Sequence, residues 1–221
     1  MVHVTLLGNE TNIFTSGNNF AGLQLVSNAF LSIGTNSTAK LVAQGGANSA
    51  GIGGGSGGAA GIIEIVGGTI QATGGFYGAG IGGGAGGGGG NISIGGFALV
   101  NASGGSYGAG VGGGLAGSGG VVNISGRTRI TAIGKNGAAG VGYGFTGTSG
   151  STTIAPTLSI LAGTTAPGQP VVDSSDYPYI HVFAQWVDVT SLGVGIVGSG
   201  EGLVGQTNGL GWTLSQGLLT L

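Results

Sequence analysis

The string Ala-Gly-Ile-Gly-Gly-Gly starts at Ala50 and again at Ala79, then returns as Ala-Gly-Val-Gly-Gly-Gly at Ala109 and Ala-Gly-Val-Gly-Tyr-Gly at Ala139, with spacings of 29, 30 and 30 residues. A degenerate copy, Ala21-Gly22-Leu23, stands 29 residues before Ala50, and the stretch from Val2 to Phe20 reads as the second half of a still earlier copy. A unit of about 30 residues cannot bury an apolar face alone, so units of this size stack on their neighbours into a solenoid.

Aligning the copies on the shared alanine gives apolar columns. Ile63, Ile92 and Val122 form one, and Ile65, Ile94, Ile124 and Ile154 another two positions later. Residues two apart lie on one face of a strand, so both columns face one side. The residues between them, Glu64, Ser93, Asn123 and Thr153, are polar and are expected to point outward. A second strand in each copy carries Leu41, Ile70, Val100, Ile130 and Ile160 in one column and Ala43, Ala72, Ala102, Ala132 and Ala162 in the next. These patterns predict an all-β fold, a parallel β-solenoid of about five coils of 29 to 30 residues with a C-terminal β segment. The predicted division is a solenoid over 1–170 and a cap or assembly segment over 171–221.

Glycine supplies 58 of the 221 residues. Without a period that content would suggest disorder; with one, it marks the third side of each coil. The run from Ala79 to Gly90 has almost no side chains, and an extended or polyproline-II-like path with close backbone approach is expected there.

The blocks Gly78 to Gly84 and Gly67 to Gly75 resemble the Gly-rich repeats of large bacterial surface proteins, especially those of Clostridia-like Firmicutes. The resemblance covers about two thirds of the chain and implies an exposed β-helical module at a cell or spore surface, with no catalytic motif to transfer. A looser likeness is to the Gly-rich receptor-binding tips of phage tail fibres, which lack the regular Ile-x-Ile ladder.

Several function classes are disfavoured by composition. Only 4 basic residues against 6 acidic ones leave no footprint for neutralising phosphates, so nucleic acid is not an expected partner. No apolar run approaches the roughly 20 residues of a membrane-spanning helix. There is no cysteine, and His3 and His181 have no companions at metal-ligand spacing, so neither metal nor cofactor is expected. The Gly-rich strings lack the Lys-Ser/Thr ending of a phosphate loop. Glu64 stands alone in its column, without the clustered acids a β-helical lyase needs. The reading is therefore not an enzyme. Met1 to Leu7 lacks the basic and long apolar regions of a secretory signal, so export is expected by another route or with a leader that was trimmed.

Beyond Pro170 the repeat stops and the aromatics thicken, with Tyr177, Tyr179, Phe183, Trp186 and Trp212. The run Tyr179 to Val189 alternates β-branched and aromatic residues as a strand does. At the other end the chain enters the ladder at once with Val2, Val4 and Leu6. These eight residues are the expected assembly or ligand interface. Two functions follow as expectations: a structural surface protein that self-associates into a fibre or layer through open solenoid ends, or a carbohydrate-binding adhesion module that stacks sugars on the C-terminal aromatics.

Overall fold

In the computed structural model, residues 2–8, 10–164 and 177–187 are described, together with the backbone of the strands Gln169–Pro170, Ile196–Gly198, Thr213–Ser215 and Leu218–Thr220. The chain is all-β, and no helix occurs among the described residues. It is a three-sided parallel solenoid, as the repeat predicts.

The first side stacks Val2–Val4, Phe30–Ile33, Ile62–Ile65, Asn91–Ile94, Val121–Ile124 and Ser151–Ile154, in that order and all parallel. Each pairing advances the chain by one repeat, so Ile65, Ile94 and Ile124 lie directly over one another. All three are buried to within 1%. The outward Ser32 and Glu64 are neighbours in the same way, and the Ser32 hydroxyl donates to Glu64 Oε2 at 2.9 Å.

The second side stacks Thr11–Thr15, Lys40–Gln44, Thr69–Thr73, Leu99–Ser103 and Arg129–Ile133. Its inward columns are Leu41, Ile70, Val100 and Ile130 beside Ala43, Ala72, Ala102 and Ala132. Alanine fits there because the side turns towards the third, where space for a larger group runs out.

That third side is built from glycine. Leu23–Gln24, Ile52–Gly53, Ile81–Gly82, Val111–Gly112 and Val141–Gly142 form a five-stranded parallel sheet of two-residue strands. Ile52, Ile81, Val111 and Val141 point into the core, fully buried. The glycine after each has φ of 132°, 139°, 135° and 139° at Gly53, Gly82, Gly112 and Gly142, a region essentially closed to residues with a Cβ. This backbone lets the chain leave the strand without lifting away from the coil beneath. The rest of the glycine run donates to the following coil at every third residue. Gly83, Gly86 and Gly89 donate to the carbonyls of Gly112, Leu115 and Ser118 at 2.9, 2.7 and 2.9 Å. The expected extended path is therefore a bonded ladder rather than a free polyproline-II segment, which would have no such bonds.

Each coil then turns through four residues: Gly55–Gly58, Gly84–Gly87, Gly114–Gly117 and Gly144–Gly147. The last N–H bonds the first carbonyl at 2.8 to 2.9 Å. The third residue is left-handed in every copy, and it is Gly57, Gly86, Ala116 (φ 56°) and Thr146 (φ 59°). A Cβ at Gly57 or Gly86 would meet nothing within 4 Å, so the side chains of Ala116 and Thr146 cost only backbone strain. Thr146→Gly is expected to stabilise the protein by about 1 kcal/mol, since a β-branched residue is poorly suited to the left-handed region. A thermal melt checks this; an unchanged or lower midpoint would contradict the turn geometry.

One departure from the repeat is large. Ile160 does not stack on Ile130, nor Ala162 on Ala132. The strand Tyr179–Val187 lies between Arg129–Ile133 and Leu158–Gly163, antiparallel to both. Its Val182 pairs with Ile130 on one side and Ile160 on the other, and its Ile180 with Ala132 and Ala162. Both inserted side chains are fully buried. The first side stays closed at the same level, with Ile124 directly on Ile154. The last coil is thus wedged open on one side only. Beyond it, Gln169–Pro170 pairs antiparallel with Leu161 and Ala162 as the outermost strand.

Candidate functional site

Three surfaces stand out: the edge of the first coil, the inserted strand and a column of aromatics on one corner.

At the first coil, Val2–Val4, Thr11–Thr15 and Leu23–Gln24 are the terminal strands of their sheets, each paired on one side only among the described residues. Asn12 and Phe14 lie opposite the buried Leu41 and Ala43, so Phe14, 42% exposed, stands at the mouth of the core. Elsewhere on the same coil, Leu7, Ile13, Phe20 and Val26 are each more than 60% exposed. Single exposed apolar residues are ordinary, but five within one coil whose strands end their sheets among the described residues are a concentration. Among the predicted residues, Val4 packs against the core and Leu6 is buried, its N–H bonding Ser37 Oγ at 3.0 Å. Val2 pairs with Leu31 in the ladder.

In the inserted strand the sequence alternation separates the faces. Ile180 and Val182 point inward, and Tyr179, His181 and Phe183 point outward from the same sheet. His181 lies opposite Thr131, with Thr131 Oγ1 and His181 Nδ1 3.0 Å apart, and its ring is 5.3 Å from that of Phe183. Phe183 is buried, Tyr179 half-buried and Tyr177 exposed. Trp186 lies in the strand opposite Val197, its side chain outside the described residues, as is Trp212 altogether.

The aromatic column runs along the corner between the second and third sides. The residue two before each repeating alanine is Asn19, Asn48, Tyr77, Tyr107 and Gly137. Stacking makes like meet like: Asn48 Nδ2 donates to Asn19 Oδ1 at 2.9 Å, and the Tyr77 and Tyr107 rings stack at 5.9 Å and 18°. Phe76 meets both tyrosines edge-on, at 4.8 and 5.5 Å. Where the column reaches Gly137 the ring is missing, and Phe145 from the next turn fills the gap, 5.4 Å from Tyr107. A Cβ on Gly137 would be 3.1 Å from that ring. Phe76 is 49% and Phe145 39% exposed, so the column offers apolar surface at both ends.

Compared with protein-family models, curated proteins and solved structures, the chain has no match.

The aromatic column lies outside the C-terminal stretch in which the sequence concentrates its largest aromatics. Its signal was present, since Tyr77 and Tyr107 occupy the same repeat position. Phe145 carried no such mark, because it belongs to the following turn. Elsewhere, Arg127 lies 6.0 Å from the centroid of the Phe97 ring, a cation–π contact on the surface. A groove of about 470 Å³ between the first and third sides is lined by Ser27, Asn28, Ile62, Asn91, Ser118 and Val121 with alanines and glycines, and by no titratable side chain. Among the described residues there is no group of three or more His, Asp or Glu that could hold a metal ion.

Proposed function

We propose that this chain is a structural surface protein whose solenoids associate with one another through their exposed ends into a fibre or layer. The observation that carries the reading is the first coil, whose strands are terminal in their sheets among the described residues and which exposes Leu7, Ile13, Phe14, Phe20 and Val26. The other end of the second sheet is blunted, because Pro170 sits in its outermost strand and proline cannot extend a ladder. The first coil has no proline or charged residue in its three strands to do the same. A strand of another coil fits this edge, and a second copy of the chain presents suitable ones. The resemblance of the repeat to Gly-rich repeats of bacterial surface proteins supports an extracellular location, on a cell or spore. No catalytic role is part of this reading.

Sedimentation velocity over a concentration series tests it. The protein is expected to associate, and Ile13→Lys with Phe20→Lys is expected to weaken association by about tenfold or more, since an edge lysine opposes strand addition. Both side chains are largely exposed, so the fold should survive. A protein that stays monomeric throughout would overturn the reading.

A second reading, carbohydrate binding by an adhesion module, is favoured by the Phe76, Tyr77, Tyr107 and Phe145 column. Exposed rings present apolar faces on which the C–H groups of a sugar can stack. Retention of the protein on an insoluble polysaccharide, lost in Phe76→Ala with Phe145→Ala, would support it; equal retention of the variant would oppose it.

A further inference from the structure

Several of the turns between strands carry asparagine at a central position. In the turns that begin at Gly17, Val26, Gly34 and Gly46, an asparagine is the third residue: Asn19, Asn28, Asn36 and Asn48. The N–H of the residue after it closes each turn onto the first carbonyl, at 3.1, 2.9, 3.1 and 2.9 Å. The turn from Lys135 to Ala138 is built the other way. Asn136 is its second residue and Gly137 its third, with φ of 48° and 88°, the left-handed pair for which Asn-Gly is a preferred sequence. The closing bond, from the Ala138 N–H to the Lys135 carbonyl at 3.0 Å, therefore skips Gly137, whose N–H bonds to nothing among the described residues. Asn136 and Gly137 are both exposed, and no described residue holds the Asn136 side chain by a hydrogen bond.

We infer that Asn136 is a self-modification site, where the chain converts its own amide to an aspartyl and isoaspartyl mixture. The backbone nitrogen of Gly137 loses its proton to water and bonds to Cγ of Asn136. The bond from Cγ to Nδ2 breaks, and ammonia leaves with the proton. Water then opens the five-membered ring at either of its two carbonyls, giving aspartate or isoaspartate. The attack needs a nitrogen that is not held by a hydrogen bond and a following residue with no side chain in the way, and in this turn Gly137 supplies both. Asn28 shows the contrast: its backbone is also left-handed, at φ 70°, but the nitrogen after it belongs to Ala29 and is bonded to Val26. Asn18 is likewise second in its turn, yet the residue after it is Asn19, whose amide is tied to Asn48 at 2.9 Å. A surface turn closed by one bond opens locally without unfolding the coils, which lets the side chain swing to the nitrogen. The isoaspartyl product routes the main chain through Cβ and Cγ and so lengthens the turn by a methylene. Phe145 packs over this turn, where a Cβ on Gly137 would lie 3.1 Å from its ring, so the change reaches the end of the aromatic column.

Incubation of the full chain at neutral and at mildly alkaline pH, followed by peptide mapping with mass spectrometry, tests this. Cleavage after Tyr143 separates Asn136 from Asn208-Gly209, the other Asn-Gly pair in the sequence. Loss of the Asn136 amide is expected ahead of loss at Asn18, Asn19, Asn28, Asn36 and Asn48. It should run faster at the alkaline pH, because the nitrogen attacks as its anion. The product should elute as two peptides of equal mass, one aspartyl and one isoaspartyl, since the ring opens both ways. Asn136→Gly keeps the left-handed backbone and has no amide to lose, so it should gain no acidic form at this turn. An amide retained in the folded chain, while the same peptide converts after unfolding in denaturant, would show that the turn protects Asn136 and would overturn the inference. Conversion to aspartate alone would also overturn it, since that outcome is direct hydrolysis by water without attack by Gly137.

Discussion

Gly82→Ala is expected to abolish cooperative folding, although it adds a single methyl group. Gly82 has a φ of 139°, and its added Cβ would overlap the carbonyl oxygen of Gly112 in the coil above. That oxygen accepts the Gly83 N–H at 2.9 Å, so it cannot move aside without breaking the ladder. Because the sheet repeats, the same collision recurs at Gly53 with Gly82 and at Gly112 with Gly142. Gly83→Val is expected to be equally severe for a different reason. Its φ is ordinary, but a Cβ there would run into the carbonyl of Gly87 within its own turn. A loss above about 4 kcal/mol is expected for each, a large part of the 5 to 15 kcal/mol that holds a typical domain. Ser93→Val, on the exposed face of the first side, should change stability by about 0.5 kcal/mol or less. Denaturant titration followed by circular dichroism checks all three, and equal tolerance at the three sites would show that the glycine side is not a packed wall.

Ile94→Asp should also prevent folding, and the contrast with Val182→Asp makes it informative. Ile94 is fully buried, stacked between Ile65 and Ile124, on a side where every coil is closed. A carboxylate there has neither a partner nor a path to water, and its burial costs several kcal/mol. Val182 is buried as completely, yet it belongs to the inserted strand. An aspartate there is expected to expel the strand and leave the solenoid folded, with Leu158–Gly163 free to close on Arg129–Ile133. The Ile94 variant should therefore lose its β-type spectrum and the Val182 variant keep it. Loss of the spectrum in both would mean that the inserted strand is as indispensable as the coils.

Much of this fold was legible because a solenoid repeats its constraints. Ile63, Ile92 and Val122 had to share a column, since no other arrangement buries them all, and the outward Glu64, Ser93 and Asn123 fixed the register. The glycine side was legible as extended and tightly packed, but its bonding was not. Coil-to-coil bonds at every third residue depend on positive φ at Gly53, Gly82, Gly112 and Gly142, which composition alone does not locate. The inserted strand was hidden for a more basic reason. Alternation in Tyr179 to Val187 identifies a strand and its buried face, yet says nothing of which strands it joins. Leu158–Gly163 reinforced the wrong neighbour, because Ile160 and Ala162 fit the repeat as well as any earlier pair. Of the expected interface residues, Val2 pairs in the ladder, Val4 packs on the core and Leu6 is buried. The exposed apolar residues of that coil are Leu7, Ile13, Phe14, Phe20 and Val26, which the alternation of its strands does not single out.

Negative-stain electron microscopy of the purified protein across a concentration series is the most direct measurement of the central claim, that these solenoids are built to join. Fibres or sheets that lengthen with concentration and shorten in the Ile13→Lys, Phe20→Lys variant are the predicted result; separate particles of single-chain size at every concentration would contradict it.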